Sequence, residues 1–301
     1  MDSLAASPGT GPATSPLKIL RPAGTTRRFR DLPAGRTLVM GILNVTPDSF
    51  SDGGEHDTTD AAIRAGLKMH YDGADIIDVG GESTRPDAER ISAEEEQRRI
   101  LPVVEALVKA GALISVDTMN ASTAEKAIEA GAGVINDVSG LELDPAMPEL
   151  IARTKVPYIL MHSRGSVRSQ DPKASYDDVV EDVIDELTTL RDRFYEAGVA
   201  PEQIILDPGL GFAKNAEHDW ALLRNVDRLT VLGHKVLIGA SRKRFLGSLL
   251  TTAGKAAPPA ERDNATLATT ALAASQGVWA VRVHDVAANV DAVKVAAAWQ
   301  G

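Results

Sequence analysis

The chain has 301 residues, room for two ordinary domains or for one α/β barrel of roughly 250 residues with an appendage. With 44% apolar and 25% charged residues it has a globular composition, and with no cysteine it has no disulfide framework, thiolate metal site, iron–sulfur cluster or cysteine nucleophile. The formal charge of −10 and an aromatic content of 4% argue against a nucleic-acid partner, so any anionic ligand must be held by a local cluster of cations.

In chain order, the first 26 residues include 18 Ala, Gly, Pro, Ser or Thr. Such a segment cannot bury enough apolar surface to offset its ordering entropy. Four prolines and three glycines also spoil the amphipathic helix of a transit peptide, although Arg27, Arg28 and Arg30 follow. Residues 1–36 are therefore read as a disordered tail and 37–301 as the folded unit. No apolar run approaches ~18 residues, so no membrane association is expected. The lack of cysteine fits a cytoplasmic protein.

From residue 37, short apolar runs alternate with helix-like segments. The runs are Leu38–Val45, Asp75–Val79, Leu113–Asp117, Val134–Val138, Tyr158–Met161, Ile204–Asp207, Lys235–Ile238 and Ala280–His284. Nearly continuous hydrophobicity over four to eight residues marks a parallel strand covered on both faces. Ile100, Val103, Val104 and Leu107 recur at helical spacing, as do Val179, Val183, Ile184 and Leu187, and later Val290, Val293 and Ala297. Gly131 and Gly198 stand where helices need left-handed caps. Eight strand–helix units predict a (β/α)8 barrel. An open doubly wound sheet is the alternative, but Val45-Thr46-Pro47-Asp48 is no G-x-G-x-x-G after the first strand.

In such a barrel the active site lies at the carboxyl ends of the strands. Those ends are polar here: Asn44, Asp78 to Glu82, Asp117-Thr118, Asn136-Asp137, His162, Asp207, Ser241-Arg242-Lys243, and Arg282 with His284. Burying unpaired charge costs several kcal/mol, so eight polar strand ends predict a site rather than a core. Asp and Asn side chains from neighbouring strands can read a flat heterocycle that carries both donors and acceptors. Arg282 and His284, two residues apart on a strand, project to one side and predict an anion seat. The first two strand–helix connections, Thr46 to Gly54 and Gly81 to Pro86, are punctuated by Gly and Pro as loops over a site often are; Phe50 on the first predicts closure over a ligand.

Two long segments, Met40-Gly41-Ile42-Leu43-Asn44-Val45-Thr46-Pro47-Asp48-Ser49-Phe50-Ser51-Asp52-Gly53-Gly54 and Asp78-Val79-Gly80-Gly81-Glu82-Ser83-Thr84-Arg85-Pro86, carry a family resemblance. Ser115-Val116-Asp117-Thr118, Asn136-Asp137-Val138, Asp207-Pro208-Gly209, Ser241-Arg242-Lys243 and Arg282-Val283-His284-Asp285 continue it in order. Over roughly residues 37–300 the chain resembles the dihydropteroate synthases of the bacterial folate pathway. The resemblance implies a transferase that joins 4-aminobenzoate to 6-hydroxymethyl-7,8-dihydropterin diphosphate, giving 7,8-dihydropteroate and pyrophosphate. It implies that Asp117, Asn136, Asp207, Lys243 and Arg282 hold the pterin, with Met161 and Phe212 packed around it. It further implies that Asn44, Arg282 and His284 take the diphosphate, and that Mg²⁺ binds with Asn44 and Asp52. Phe50, Thr84, Arg85, Pro86 and Lys243 would frame the aminobenzoate site, where sulfonamides compete in this family. Asp117, Lys243, Arg282 and His284 would act in catalysis, and a homodimer through helices late in the chain is expected.

Two positions depart from the pattern: Ala213 stands where Gly also occurs in relatives, and Arg244 where Ser is frequent. Two other readings share part of it. A methyltetrahydrofolate corrinoid methyltransferase would share the pterin-reading residues but not the first-loop motif or the anion seat, and a silent paralogue would bind pterin without turnover.

Overall fold

The computed structural model describes residues 27–46, 55–82, 91–165 and 174–301. Eight parallel strands close into a barrel in sequence order, with helices around the outside. The units are β1 (Leu38–Asn44) with α1 (Glu55–Tyr71), β2 (Ile76–Gly80) with α2 (Ala93–Lys109), and β3 (Ile114–Asp117) with α3 (Ala121–Glu129). They continue with β4 (Val134–Asp137) and α4 (Met147–Thr154), β5 (Tyr158–Met161) and α5 (Val179–Glu196), and β6 (Ile204–Asp207) with α6 (Ala216–Arg224) and the short α7 (Val226–Thr230). After β7 (Lys235–Ile238) come α8 (Arg244–Leu249) and α9 (Asp263–Ser275), and β8 (Ala280–Val283) leads into α10 (Val286–Gln300). Each strand starts and ends within one residue of the apolar run that predicts it.

The three helices marked by apolar spacing, α2, α5 and α10, form where it predicts. Ser92 accepts from the Glu95 amide at the start of α2, whose buried face is Ile100, Val103, Val104 and Leu107. Asp178 caps α5 by accepting from the Val180 and Glu181 amides, and Val179, Val183 and Leu187 lie on its buried side. Gly131 and Gly198 take φ of +101° and +91° after their helices, conformations that spare glycine the Cβ clash.

Strand pleating divides the buried residues into two layers. Between strands and helices lie Val39, Ile77, Val116, Ile135, Tyr158, Leu206 and Val281 with the inner helix faces. Inside the barrel lie Leu38, Met40, Ile76, Leu113, Val134, Ile159, Ile205, Leu237 and Ala280. The same parity carries Asp78, Asp117, Asn136, Met161, Asp207 and Arg282 into the interior one step nearer the carboxyl end.

Residues 27–36 differ from the expected tail. Phe29 and Leu32 pack under the interior cluster beside Trp279, and Arg36 chelates Asp75 at 2.7 and 2.8 Å. Arg27 reaches the same carboxylate at 3.2 Å, and the Val39 amide donates to it at 3.0 Å. A carboxylate only 2% exposed needs such partners, and it recruits two arginines from a stretch whose composition gives no apolar signal. The rest of the expected tail, residues 1–26, lies outside the described residues.

Candidate active site

The carboxyl mouth of the barrel is organised around one buried carboxylate. Asp78 on β2 is fully buried, and its Oδ2 accepts from Arg282 Nε at 2.6 Å and from Asn136 Nδ2 at 2.9 Å. Arg282 reaches in from β8 and also donates through Nη2 to Asp117 Oδ2 at 2.6 Å. Three strands and β8 are thus tied across the interior by charge-assisted bonds. Gly80 and Gly239 lie against this set: a Cβ on either would be in ordinary van der Waals contact with Asp117, at 3.4 Å, or with Asp207 Oδ2, at 3.7 Å. Among the described residues, Asp78 Oδ1 is buried without a hydrogen-bond partner, an acceptor whose capacity is unused.

Burial raises the Asp117 pKa; Arg282 opposes this, while Asp78, Glu96 and Asp137 add to it. Burial likewise raises that of Asp207, against Lys243 and the Gly209 amide, which donates to Oδ1 at 2.7 Å. Burial brings the Lys243 ammonium down to about 8. Lys243 donates to the Leu210 carbonyl, and its Nζ lies 4.8 Å above the centre of the Phe212 ring. Met161 is buried at the end of β5, paired in register with Asp207, and Phe212 is half-buried. The expected pterin set of Asp117, Asn136, Met161, Asp207, Phe212, Lys243 and Arg282 is therefore gathered at one mouth.

The anion seat is built differently from the cationic pair expected. Arg282 is engaged by Asp78 and Asp117, because two buried carboxylates without a counter-charge would be costly. Burial, with Arg242 and Arg282 nearby, lowers the His284 pKa to about 4, so the imidazole is neutral near pH 7. Its Nδ1 lies 2.9 Å from the Ser241 hydroxyl, and the His284 amide donates to Ser241 Oγ, so Ser241 fixes the orientation of the ring. Asn44 is exposed at the lip of β1. Phe50, Asp52, Thr84, Arg85 and Pro86 lie outside the described residues.

Several strand-end residues point elsewhere, Asp137 and His162 among them. Asp137, adjacent to Asn136, faces the helix layer and accepts from Tyr158 Oη at 2.7 Å. His162 also turns outward, with Nε2 2.8 Å from Glu186 of α5. Period-two alternation allows only one of two adjacent residues inside, and that parity could have separated Asn136 from Asp137. Asp78 is the main residue absent from the expected site set; its signal is a single charge inside the run Ile76-Ile77-Asp78-Val79. Lys214, buried and bonded to the other ring nitrogen of His162 at 2.8 Å, had no sequence signal beyond its place after β6.

The model of the pterin binding enzyme family matches residues 40–284. A dihydropteroate synthase of Mycobacterium leprae is 49% identical over 263 residues, which cover 87% of this chain and 93% of that protein. One of Bacillus subtilis is 47% identical over 252 residues, covering 83% and 84%. Among solved structures, Xanthomonas albilineans dihydropteroate synthase with 4-aminobenzoic acid superposes with a TM-score of 0.81 at 43% identity, covering 88% of this chain and 94% of that one. The enzyme from that organism in complex with 7,8-dihydropteroate gives 0.78 at 41% identity over the same shares. The chain belongs to the pterin binding enzyme family and, within it, to the dihydropteroate synthases, which are transferases.

Proposed function

We propose that the chain joins 4-aminobenzoate to the methylene carbon of 6-hydroxymethyl-7,8-dihydropterin diphosphate, releasing pyrophosphate and 7,8-dihydropteroate. The observation that carries this reading is the cross-barrel set of Asp78, Asn136, Asp117 and Arg282, with Asp207 and Lys243 beside it. The carboxylates and the orphaned Asp78 Oδ1 accept from the heterocycle's N–H groups, and Lys243 donates to its acceptors. The Xanthomonas albilineans relatives solved with 4-aminobenzoic acid and with 7,8-dihydropteroate support the substrate assignment.

The amine of 4-aminobenzoate is a poor nucleophile because its lone pair is delocalised into the ring. Departure of pyrophosphate before amine attack removes that difficulty. Arg282 and the neutral imidazole of His284 stabilise the charge that grows on the leaving group. The dihydropterin delocalises the resulting cationic methylene, with the Asp117 carboxylate nearby. Phe50, Thr84, Arg85 and Pro86, with Lys243, would frame the aminobenzoate, and closure of their loops would exclude water that competes for the cation. That subsite is also where a sulfonamide would compete.

Asn44 and Asp52 are the residues that would hold Mg²⁺. Among the described residues no group of three or more His, Asp or Glu could hold a metal by itself, but Mg²⁺ needs only one or two protein oxygens beside substrate phosphates. The exposed Asn44 amide oxygen, with Asp52, would supply them. Bound there, Mg²⁺ would neutralise charge on the diphosphate. A homodimer is part of the proposal; the exposed Leu272 of α9 and Val295 and Trp299 of α10 offer an apolar face for it. No helix among the described residues is long and apolar enough to cross a membrane, which is compatible with a cytoplasmic enzyme.

The test is pyrophosphate release by purified protein given both substrates and Mg²⁺. Release that depends on 4-aminobenzoate is expected. Release at the same rate without it would overturn the reading.

A further inference from the structure

A second buried cation lies behind the site. Lys214 is 1% exposed, so it cannot touch a substrate, yet its ammonium has an acceptor for each of its three N–H bonds. They are His162 Nδ1 at 2.8 Å, the Gly209 carbonyl at 3.1 Å and the Phe212 carbonyl at 3.0 Å. His162, itself without exposed surface, presents a bare Nδ1 because its Nε2–H donates to Glu186, 2.8 Å away. Arg164 holds Glu186 in turn through Nε at 3.1 Å. This chain of contacts ends in the β6–α6 loop that faces the mouth.

The loop is clamped from both sides. Lys214 takes its Gly209 and Phe212 carbonyls from beneath, while Lys243 takes the Leu210 carbonyl and covers the Phe212 ring. Gly209 is the shared point, since its amide donates to Asp207 Oδ1 while its carbonyl accepts from Lys214. Only glycine fits there: φ is +68° and a Cβ would stand 1.8 Å from the His162 carbonyl oxygen. The orientation of the Asp207 carboxylate and the height of Phe212 therefore both follow from where the ammonium sits.

Resting on the synthase reading above, we propose that Lys214, seated on His162, is a positioning residue that aligns Asp207 and Phe212 for the dihydropterin. It acts on binding of that substrate and leaves the chemical step and the aminobenzoate subsite alone.

The experiment compares steady-state kinetics and thermal melts of the wild type, Lys214→Met and His162→Leu, assayed well below their melting temperatures. Lys214→Met is expected to raise KM for the dihydropterin diphosphate about tenfold or more, the scale of a lost charged hydrogen bond. KM for 4-aminobenzoate and kcat should stay within about threefold of wild type. His162→Leu, which keeps the lysine and removes one acceptor, should raise the same constant about threefold. A Lys214→Met protein that melts earlier but keeps its dihydropterin KM within about twofold would show a mere fold strut and overturn the proposal. So would a loss confined to kcat. If Lys214→Met does not fold, His162→Leu decides on the same constant, an unchanged KM being the contrary result. A wild type without aminobenzoate-dependent turnover is a separate failure, that of the synthase reading itself.

Discussion

The lower and upper parts of the barrel interior are made by the same strands and the same pleat, and they do opposite things. Below, Leu38, Met40, Ile76, Ile159, Ile205 and Leu237 fill the space with apolar side chains that are essentially without exposed surface. Their burial stabilises the fold by about 1.5–3 kcal/mol for each large side chain. Above, Asp78, Asp117, Asn136, Asp207 and Arg282 occupy equivalent inward positions, and burial acts against them. They are held by one another through bonds that cross the barrel, with one carboxylate oxygen left unfilled. Ligand recognition is thus confined to the upper part of the barrel interior. A change below should damage folding alone, whereas a change above should damage chemistry and, where it strips a buried charge of its partner, stability as well.

Arg282→Ala is the largest test of that division. Turnover should fall on the order of 10²–10³-fold, the loss typical of a preorganised donor to a developing negative charge. Because Asp78 and Asp117 would lose their shared counter-charge, stability should fall by about 3–5 kcal/mol as well. Pyrophosphate release and urea denaturation check the two parts. Ile159→Ala, on the apolar side of the boundary, should cost about 2–5 kcal/mol in the same denaturation experiment. Its kcat/KM should remain within about twofold of wild type. A large kinetic defect there would erase the separation.

A pH profile sharpens the upper half further. Lys243 is a protonated donor to the Leu210 carbonyl below about 8, since burial has brought it down from its ordinary 10.5. As pH rises through about 8 that donor is lost, so kcat/KM should fall on the alkaline side. In Lys243→Arg, which stays charged, the alkaline fall should be absent. The smallest effect is expected at Ala213, which sits in the left-handed region at φ +47°. Ala213→Gly should stabilise the protein by about 0.5–1 kcal/mol, read as a small rise in Tm with activity kept.

Much of this was legible in the chain because it depends on local patterns. Continuous apolar runs mark the strands, and Asn44, Asp117, Asn136, Asp207 and Arg282 stand at or near the ends of those runs. What was hidden depends on partners far apart in sequence. Asp78 meets Arg282 across 204 positions, and Lys214 meets His162 across 52. Neither pairing has a spacing rule. Charge is hidden for a related reason: His284 next to Arg282 reads as a cationic pair, yet burial, with Arg242 and Arg282 nearby, keeps the imidazole neutral. Residues 27–36 carry no periodic apolar pattern: two arginines on the buried Asp75 and two isolated apolar side chains, Phe29 and Leu32, hold them.

Recognition of the dihydropterin by the polar upper interior is open to calorimetric titration of Asn136→Leu. Leucine nearly preserves the volume but removes the amide that donates to Asp78. The variant should fold, and its affinity for the dihydropterin diphosphate should fall roughly 10–100-fold. A folded Asn136→Leu protein that binds as tightly as wild type, within about twofold, would contradict that recognition.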